Sequence, residues 1–219
     1  MKRLSRFKNL FFILLAFSST RLMAQNFCEE LIQESVPFRY ISEPSLEVKT
    51  GYYFFSNSKM RKIYNKGGFD IQLCASYPVW NLSKWSLDAY CAIEYFHKSG
   101  RSINGHQRTS FWSVPVNIGI KPIYAINENM QYYFAIGPRV FYIHQHNRSS
   151  YVNKNNSKSG VGFFVNTGLQ FLLCDQLSID VFGEYSYAKT HFHSGNSRIY
   201  TRNIQIGGFT FGGGLGYQF

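Results

Sequence analysis

This chain has no apolar run long enough to cross a bilayer as a helix. The most sustained one, Leu10–Phe17, falls well short of the roughly 20 residues a spanning helix needs. Carboxylates are scarce as well: 12 Asp and Glu stand against 23 Lys and Arg, and none lies in segments 57–68, 99–109, 146–160 or 190–203. A serine–histidine site in those segments would lack the third group that orients the imidazole. The glycine clusters Gly207-Gly208 and Gly212-Gly213-Gly214 are followed by no helix and no Lys-Ser/Thr pair, which argues against a phosphate-cradling loop. Cys28 is preceded by Asn26 and Phe27 rather than by a lipobox, which argues against lipoprotein processing.

What the chain has instead is alternation. Aromatic residues reach 18%, with 16 Tyr and 21 Phe, yet they are not gathered into continuous apolar stretches. Strands that meet lipid with every second residue have this composition. Period two predicts eight strands, at about Leu46–Ser56, Phe69–Trp80, Trp85–Lys98, Ser110–Ile126, Gln131–Gln145, Val161–Leu173, Leu177–Lys189 and Ile204–Phe219. In the second, Phe69, Ile71, Leu73, Ala75, Tyr77 and Val79 share a face opposite Asp70, Gln72, Cys74 and Ser76. The fourth sets Trp112, Val114, Val116, Ile118 and Ile120 against Ser113, Asn117, Gly119 and Lys121. In the seventh, Leu177, Ile179, Val181, Tyr185 and Tyr187 lie opposite Ser178, Asp180, Glu184 and Ser186.

Alternation alone does not say which face points outward. Residue size does, because the interior of an eight-stranded barrel is only just wide enough for side chains. Small and hydrogen-bonding residues fit there, so the bulky apolar face meets lipid. A soluble, lipocalin-like barrel is the alternative; it would carry Lys, Glu and Thr on its polar face. The expected fold class is therefore all-β, an eight-stranded antiparallel up-and-down transmembrane β-barrel. Its connections alternate between tight turns (81–84, 127–130, 174–176) and longer segments rich in Ser, Asn and Gly (57–68, 99–109, 146–160, 190–203). Closing the sheet leaves no unpaired edge in hydrocarbon, the condition for a sheet to span at all. Glycine in the last strand is read as permitting curvature and a local bulge.

Lys2, Arg3, Arg6 and Lys8 precede the Leu10–Phe17 run, and a polar stretch follows to Leu22-Met23-Ala24. That order is a secretory signal peptide over residues 1–24, cut after Ala24. Residues 25–45, with Glu29, Glu30 and Glu34, then form a periplasmic extension, and 46–219 the barrel. The chain closes on Leu215, Tyr217 and Phe219 interleaved with Gly214, Gly216 and Gln218. This stretch resembles the C-terminal signal that the barrel-insertion machinery reads in bacterial outer-membrane proteins. Together with the leader, the eight strands and the alternating connections, it makes the chain resemble the small outer-membrane barrels of the OmpA/OmpX/OmpW kind. The resemblance covers the chain from about Leu46 and is one of pattern. It implies an integral protein of a Gram-negative outer membrane, with the lipid bilayer and lipopolysaccharide as partners, short turns in the periplasm and long loops outside.

Charge is informative in its distribution. Losing the five basic residues Lys2, Arg3, Arg6, Lys8 and Arg21 takes the formal +11 to +6. The long loops carry Lys59, Arg61, Lys62, Lys66, Arg101, Arg108, Arg148, Lys154, Lys158, Arg198 and Arg202, with Lys98 and Lys189 at their rims. A one-sign basic field attracts anions and speeds their encounter. Export excludes intracellular nucleic acid as the partner. Three readings compete: anchoring to lipopolysaccharide phosphates at the rim, adhesion to acidic polymers such as sulfated glycans or extracellular DNA, and catalysis. Anionic surface partners, lipopolysaccharide or acidic polysaccharide, are the expected ligands of an adhesin-like, structural protein. The alternatives are a lipid A-modifying enzyme and a narrow channel for small solutes.

All six histidines fall on the outer side. His144-Gln145-His146 and His191-Phe192-His193 each place two imidazoles on one face of a strand, a spacing that can hold Zn²⁺, Ni²⁺ or Cu²⁺. Neither pair has a nearby Cys or carboxylate to complete a site. The expectation is no metal and no cofactor, with the histidines adding positive charge to the rim as pH falls. For catalysis the candidate cluster is His191, His193, Ser194 and Ser197, whose nearest acids, Glu94 and Glu184, read as inward-facing. No catalytic residue is assigned. Inside, Lys49, Lys121 and Arg139 are expected to pair with Asp70, Asp88, Glu94, Asp180 and Glu184, since buried charges must pair. The bulk of inward-facing Tyr53, Tyr90, Tyr133 and Phe164 disfavours an open pore. Cys74 and Cys91 lie equidistant from the first tight turn but on opposite faces, which argues against a bridge between them. Cys28 and Cys174 share the periplasmic side and are expected to pair in that oxidising compartment.

Overall fold

Each alternating segment becomes one strand of a closed sheet. The computed structural model describes residues 42–101, 107–147, 155–173, 176–193 and 201–219. The strands are β1 (Ser45–Phe55), β2 (Gly67–Leu82), β3 (Trp85–Arg101), β4 (Arg108–Asn127), β5 (Met130–Asn147), β6 (Asn155–Leu172), β7 (Leu177–His193) and β8 (Thr201–Gln218), and a short helix α1 (Ser58–Ile63) follows β1. Neighbours pair antiparallel in chain order, and β1 closes on β8 from Ser45↔Gln218 to Phe55↔Gly208. No strand edge is left for another chain to pair with. The signal peptide, Cys28, Cys174 and most of the 25–45 segment lie outside the described residues.

Three differences from the sequence reading have physical causes. The strands run further at the loop end: β6 starts at Asn155, β7 reaches His193 and β8 starts at Thr201. Above the apolar belt both faces of a strand are polar, so alternation fades while backbone pairing continues. Helix α1 was read as loop, because one and a half turns are too short to show a helical period. The third difference is the bulge. The irregularities fall between Pro78 and Trp80 and between Ala125 and Asn127, and the register of β8 runs through its glycines without a shift. Those glycines serve close approach instead: a Cβ on Gly212 would sit 2.0 Å from the Thr50 carbonyl oxygen.

The outward face is apolar over a continuous belt. Val48, Phe69, Ile71, Leu73, Ile118, Val181, Phe211 and Leu215 are all more than half exposed, far more than a water-soluble surface leaves uncovered. Aromatic pairs flank the belt, Trp85–Tyr124 and Tyr217–Phe219 at the turn end and Trp112–Tyr142 and Phe163–Tyr187 towards the loops. Such girdles mark where a bilayer meets water on both sides of a barrel.

The inward face is stacked in layers. Near the turn end, Asp88 accepts from the hydroxyls of Ser42 and Ser86. Above it, Lys49 pairs with Glu47 at 2.8 Å and Asp180 at 2.6 Å, and Lys121 pairs with Glu47 at 2.6 Å. Tyr133 donates to Asp180 and accepts from Lys49. Higher still, Arg139 is forked between Glu94 and Glu184, each at 2.7 Å, while Asn117 donates to Glu94 and Asn166 to Glu184. The expected ion-pair network is present, with two corrections. Asp70 takes an amide donor from Gln72, and Asp88 takes hydroxyls, rather than a cation. Asp88 is the register partner of Lys121, but the ammonium reaches to Glu47, a residue the sequence reading did not place among the pairs.

Above Arg139 the filling changes character. Tyr53, Phe55, Phe96, Phe111, Phe141 and Ile143 are buried against one another inside the barrel. The expectation of small, polar inward residues holds only in part lower down, where Tyr90, Ile123, Tyr133, Phe164 and Phe182 are buried among the polar groups, and fails here. A layer of rings over an ion-pair network keeps water away from it, which strengthens every charge interaction beneath. Between rings and network remains a cavity of about 30 Å³ lined by Asp70, Glu94, Arg139 and Ser113 among others, room for a water or two. Cys74, buried, accepts from Tyr90, while Cys91 is exposed on the outer wall; both are free thiols.

Candidate functional site

The loop end is organised by α1. Asn57 caps the helix by accepting from the Lys59 amide at 2.9 Å, a typical role for Asn before a first turn. Arg61 and Lys62 stand in its last turn, where cations meet the negative end of the helix dipole. The helix lies over the barrel mouth with two faces of opposite kind. Inward, Met60 and Tyr64 are buried, and the Tyr64 ring packs on Phe55 and Phe111 at 5.7 and 5.5 Å. Gln145 donates to the Tyr64 hydroxyl at 3.1 Å, and Thr109 lies within 3.5 Å of it. Burial pushes the Tyr64 phenol up in pKa, so it stays a neutral partner in those contacts. Outward, Lys59, Arg61 and Lys62 are exposed.

After the helix the chain turns back through two left-handed residues, Asn65 (φ 51) and Lys66 (φ 70). Asn tolerates this region; Lys does so at a cost in strain. Two backbone bonds hold the turn, Lys66 N–H to the Arg61 carbonyl at 2.9 Å and Phe55 N–H to the Lys66 carbonyl at 3.1 Å. On the far side, β3 presses on the helix end so closely that a Cβ on Gly100 would sit 2.1 Å from the Ile63 carbonyl oxygen. The next residue, Arg101, is the register partner of Arg108. Both are exposed, so two guanidinium-bearing side chains stand opposite each other on adjacent strands. Like charges so placed destabilise a sheet, and among the described residues neither has a carboxylate partner.

Of the basic residues expected to bind, the structure places Lys59, Arg61, Lys62 and Lys66 on and after α1, and Arg101 and Arg108 beside it. Lys158 is not a loop residue: it lies on β6, half-buried, opposite the inward-facing Ile143. Arg148, Lys154 and Arg198 lie outside the described residues, as do Ser194 and Ser197. Arg202, His191 and His193 are strand residues whose side chains lie outside the described ones. His144 faces outward, its Nδ1 2.7 Å from the Ser157 hydroxyl and its ring 5.4 Å from Trp112. Among the described residues no three His, Cys, Asp or Glu side chains gather as a metal set. Glu94 and Glu184, the acids considered as partners for the histidine–serine cluster, are both engaged by Arg139 inside the barrel. Leu215, Tyr217 and Phe219 all point outward, at 66%, 40% and 63% exposure. The sequence reading missed Met60 and Tyr64 as plug residues.

No family profile matches the chain, and no curated protein matches it in sequence. Solved structures do. Ail, the attachment invasion locus protein of Yersinia pestis, in complex with the heparin analogue sucrose octasulfate, matches with a TM-score of 0.53 at 18% identity, over 82% of this chain and 100% of that one. The outer membrane protein OprG of Pseudomonas aeruginosa matches with a TM-score of 0.52 at 12% identity, over 81% and 97%. Neisserial surface protein A matches with a TM-score of 0.51 at 11% identity, over 80% and 97%. The fold is that of the small outer-membrane β-barrels. At these identities the likeness is one of architecture, and such barrels differ from one another mainly in what their loops carry. In this outer-membrane-type barrel the loop end built around α1 is cationic, and its long connecting segments hold no acid.

Proposed function

We propose that this protein is an integral outer-membrane barrel whose loop end captures anionic polymers, acidic or sulfated polysaccharide at the cell surface. The observation that carries the reading is the Arg101–Arg108 apposition beside Lys59, Arg61 and Lys62. Five exposed cations gather on one side of the mouth without a carboxylate among the described residues to balance them. Two arginines face to face cost the sheet stability, and a polyanion would relieve the repulsion. The apolar belt with its aromatic girdles supports embedding in a bilayer, and the exposed Leu215, Tyr217 and Phe219 suit recognition by the insertion machinery. That Ail was crystallised with a heparin analogue supports a sulfated ligand for a barrel of this architecture.

The test is binding of the refolded full chain to heparin across a salt series. Binding that is tight at low salt and falls steeply as salt rises is expected, because each neutralised cation releases counterions. Weak binding at low salt, or binding indifferent to salt, would reject the reading.

A further inference from the structure

Charge balances in one layer of the lumen and not in the next. In the lower layer Lys49 and Lys121 meet Glu47 and Asp180, two cations with two carboxylates. In the upper layer Asp70, Glu94 and Glu184 share one cation, Arg139, three negative charges to one positive and a formal net of −2. Arg139 does not serve Asp70. Its Nη1 donates to Glu94, Glu184 and Asn117, and its Nη2 to Glu94. Asp70 is 1% exposed; its Oδ2 accepts from Gln72 Nε2 at 2.9 Å, while its Oδ1 has no hydrogen-bond partner. Gln72 Oε1 and Asn166 Oδ1, on the amides that donate to Asp70 and Glu184, are also buried without one. Among the described residues every buried side-chain atom without a partner is an oxygen. What this interior lacks is positive charge and donors, not acceptors.

The cavity of about 30 Å³ lies at the same layer. Asp70, Glu94 and Arg139 border it with the hydroxyl-bearing Ser113 and Ser186. We infer that this cavity is a binding site for one small monovalent metal cation of sodium size, with Asp70 as its anionic ligand and Ser113 and Ser186 as neutral ones. A water could donate to Asp70 Oδ1, but it brings no charge, and a buried carboxylate is costly until an opposite charge meets it. The volume suits an ion with one water, since roughly 10–15 Å³ holds a single water. The donor set selects the kind of ion. No three His, Cys, Asp or Glu side chains gather among the described residues, so a divalent or transition metal lacks the ligands it needs. An alkali cation accepts neutral oxygens in place of its hydration shell. Arg139 borders the cavity too, but two glutamates already meet its charge, and with Asp70 the layer remains negative. The site lies beneath the aromatic layer and uses no cation of the loop end, so it is independent of polymer binding.

The experiment is reversible urea unfolding of the full chain refolded into detergent micelles, read by tryptophan fluorescence. Sodium chloride replaces tetramethylammonium chloride stepwise at constant ionic strength. Both salts screen the loop cations alike, so a difference between them reports a bound ion. An ion that binds only the folded barrel lowers the unfolding constant in proportion to its concentration once the site fills. Above half-saturation, tenfold more sodium is therefore expected to lower that constant about tenfold. Asp70→Asn keeps the shape of the side chain and removes its charge. It is expected to unfold at a midpoint indifferent to sodium, and in tetramethylammonium at no less urea than the parent. Ser113→Ala is expected to retain the dependence with sodium affinity about tenfold weaker, the loss of one ligand being worth about that much. Equal midpoints for the parent in the two salts would overturn the inference, as would a parental sodium dependence in both Asp70→Asn and Ser113→Ala.

Discussion

The inside and the loop end of this barrel treat positive charge in opposite ways. Inside, Lys49, Lys121 and Arg139 are at most 7% exposed, and each is within 2.7 Å of at least one carboxylate. At the loop end Arg61, Lys62, Lys66, Arg101 and Arg108 are exposed and meet no carboxylate among the described residues. Six of the twelve acids lie in the lumen, Glu47, Asp70, Asp88, Glu94, Asp180 and Glu184, and four of them, Glu47, Glu94, Asp180 and Glu184, pair with its cations. Uncompensated charge in the interior would unfold the barrel, whereas at the mouth water solvates it and leaves it available to a partner. On the proposed function, stability resides in the first set and recognition in the second.

That division can be broken from the inside most sharply. Arg139→Leu leaves Glu94 and Glu184 buried without their cation and is expected to cost about 3–5 kcal/mol, read by urea unfolding and by loss of heat-modifiable gel mobility. Adding Glu94→Gln and Glu184→Gln to the same chain is expected to recover much of the loss, because the stranded charges are gone. If Arg139→Leu alone unfolds at the parental urea concentration, the lumen is wetter than its geometry implies. Phe111→Ala opens the aromatic layer between network and loops and is expected to cost about 3 kcal/mol through the cavity it leaves; the same unfolding assay reads it. Tyr64→Phe keeps the ring packed on Phe55 and Phe111 but removes the contacts with Gln145 and Thr109. A loss of about 1 kcal/mol is expected, visible as a small shift in the unfolding midpoint.

At the other pole, Arg101→Ala with Arg108→Ala is expected to leave stability within about 0.5 kcal/mol of the parent. Its effect belongs to binding: the slope of log affinity for heparin against log salt is expected to fall by about 2, near one for each cation removed. A clear destabilisation with an unchanged slope would place these arginines with the structural set and erase the comparison.

Much of the architecture could be read from the chain because lipid imposes a strict pattern on it. A strand between lumen and bilayer must alternate, so Phe69 to Val79 and Trp112 to Ile120 declared both their secondary structure and their outward face. Lys49, Lys121 and Arg139 were legible as buried for the same reason, each sitting on the polar side of an alternating run. The pattern weakened where that constraint ends. Above the belt neither face meets lipid, so the upper reaches of β6, β7 and β8 looked like loop, and Lys158 with them. Helix α1 was invisible because one set of Met60, Ile63 and Tyr64 in a short basic segment is too little to show a period, and only the ring layer beneath gives them a place.

The sequence by itself determined the strand count, the inward and outward faces, the acid-free loops and the presence of paired charges in the lumen. These are consequences of local alternation and composition. Which carboxylate meets which cation was decided by the tertiary structure, since Lys121 is in register with Asp88 yet its ammonium reaches Glu47, on a strand that is not its neighbour in the sheet. Only the closed barrel could bring Phe54 beside Phe209, because β1 and β8 are the ends of the sheet and become neighbours on closure.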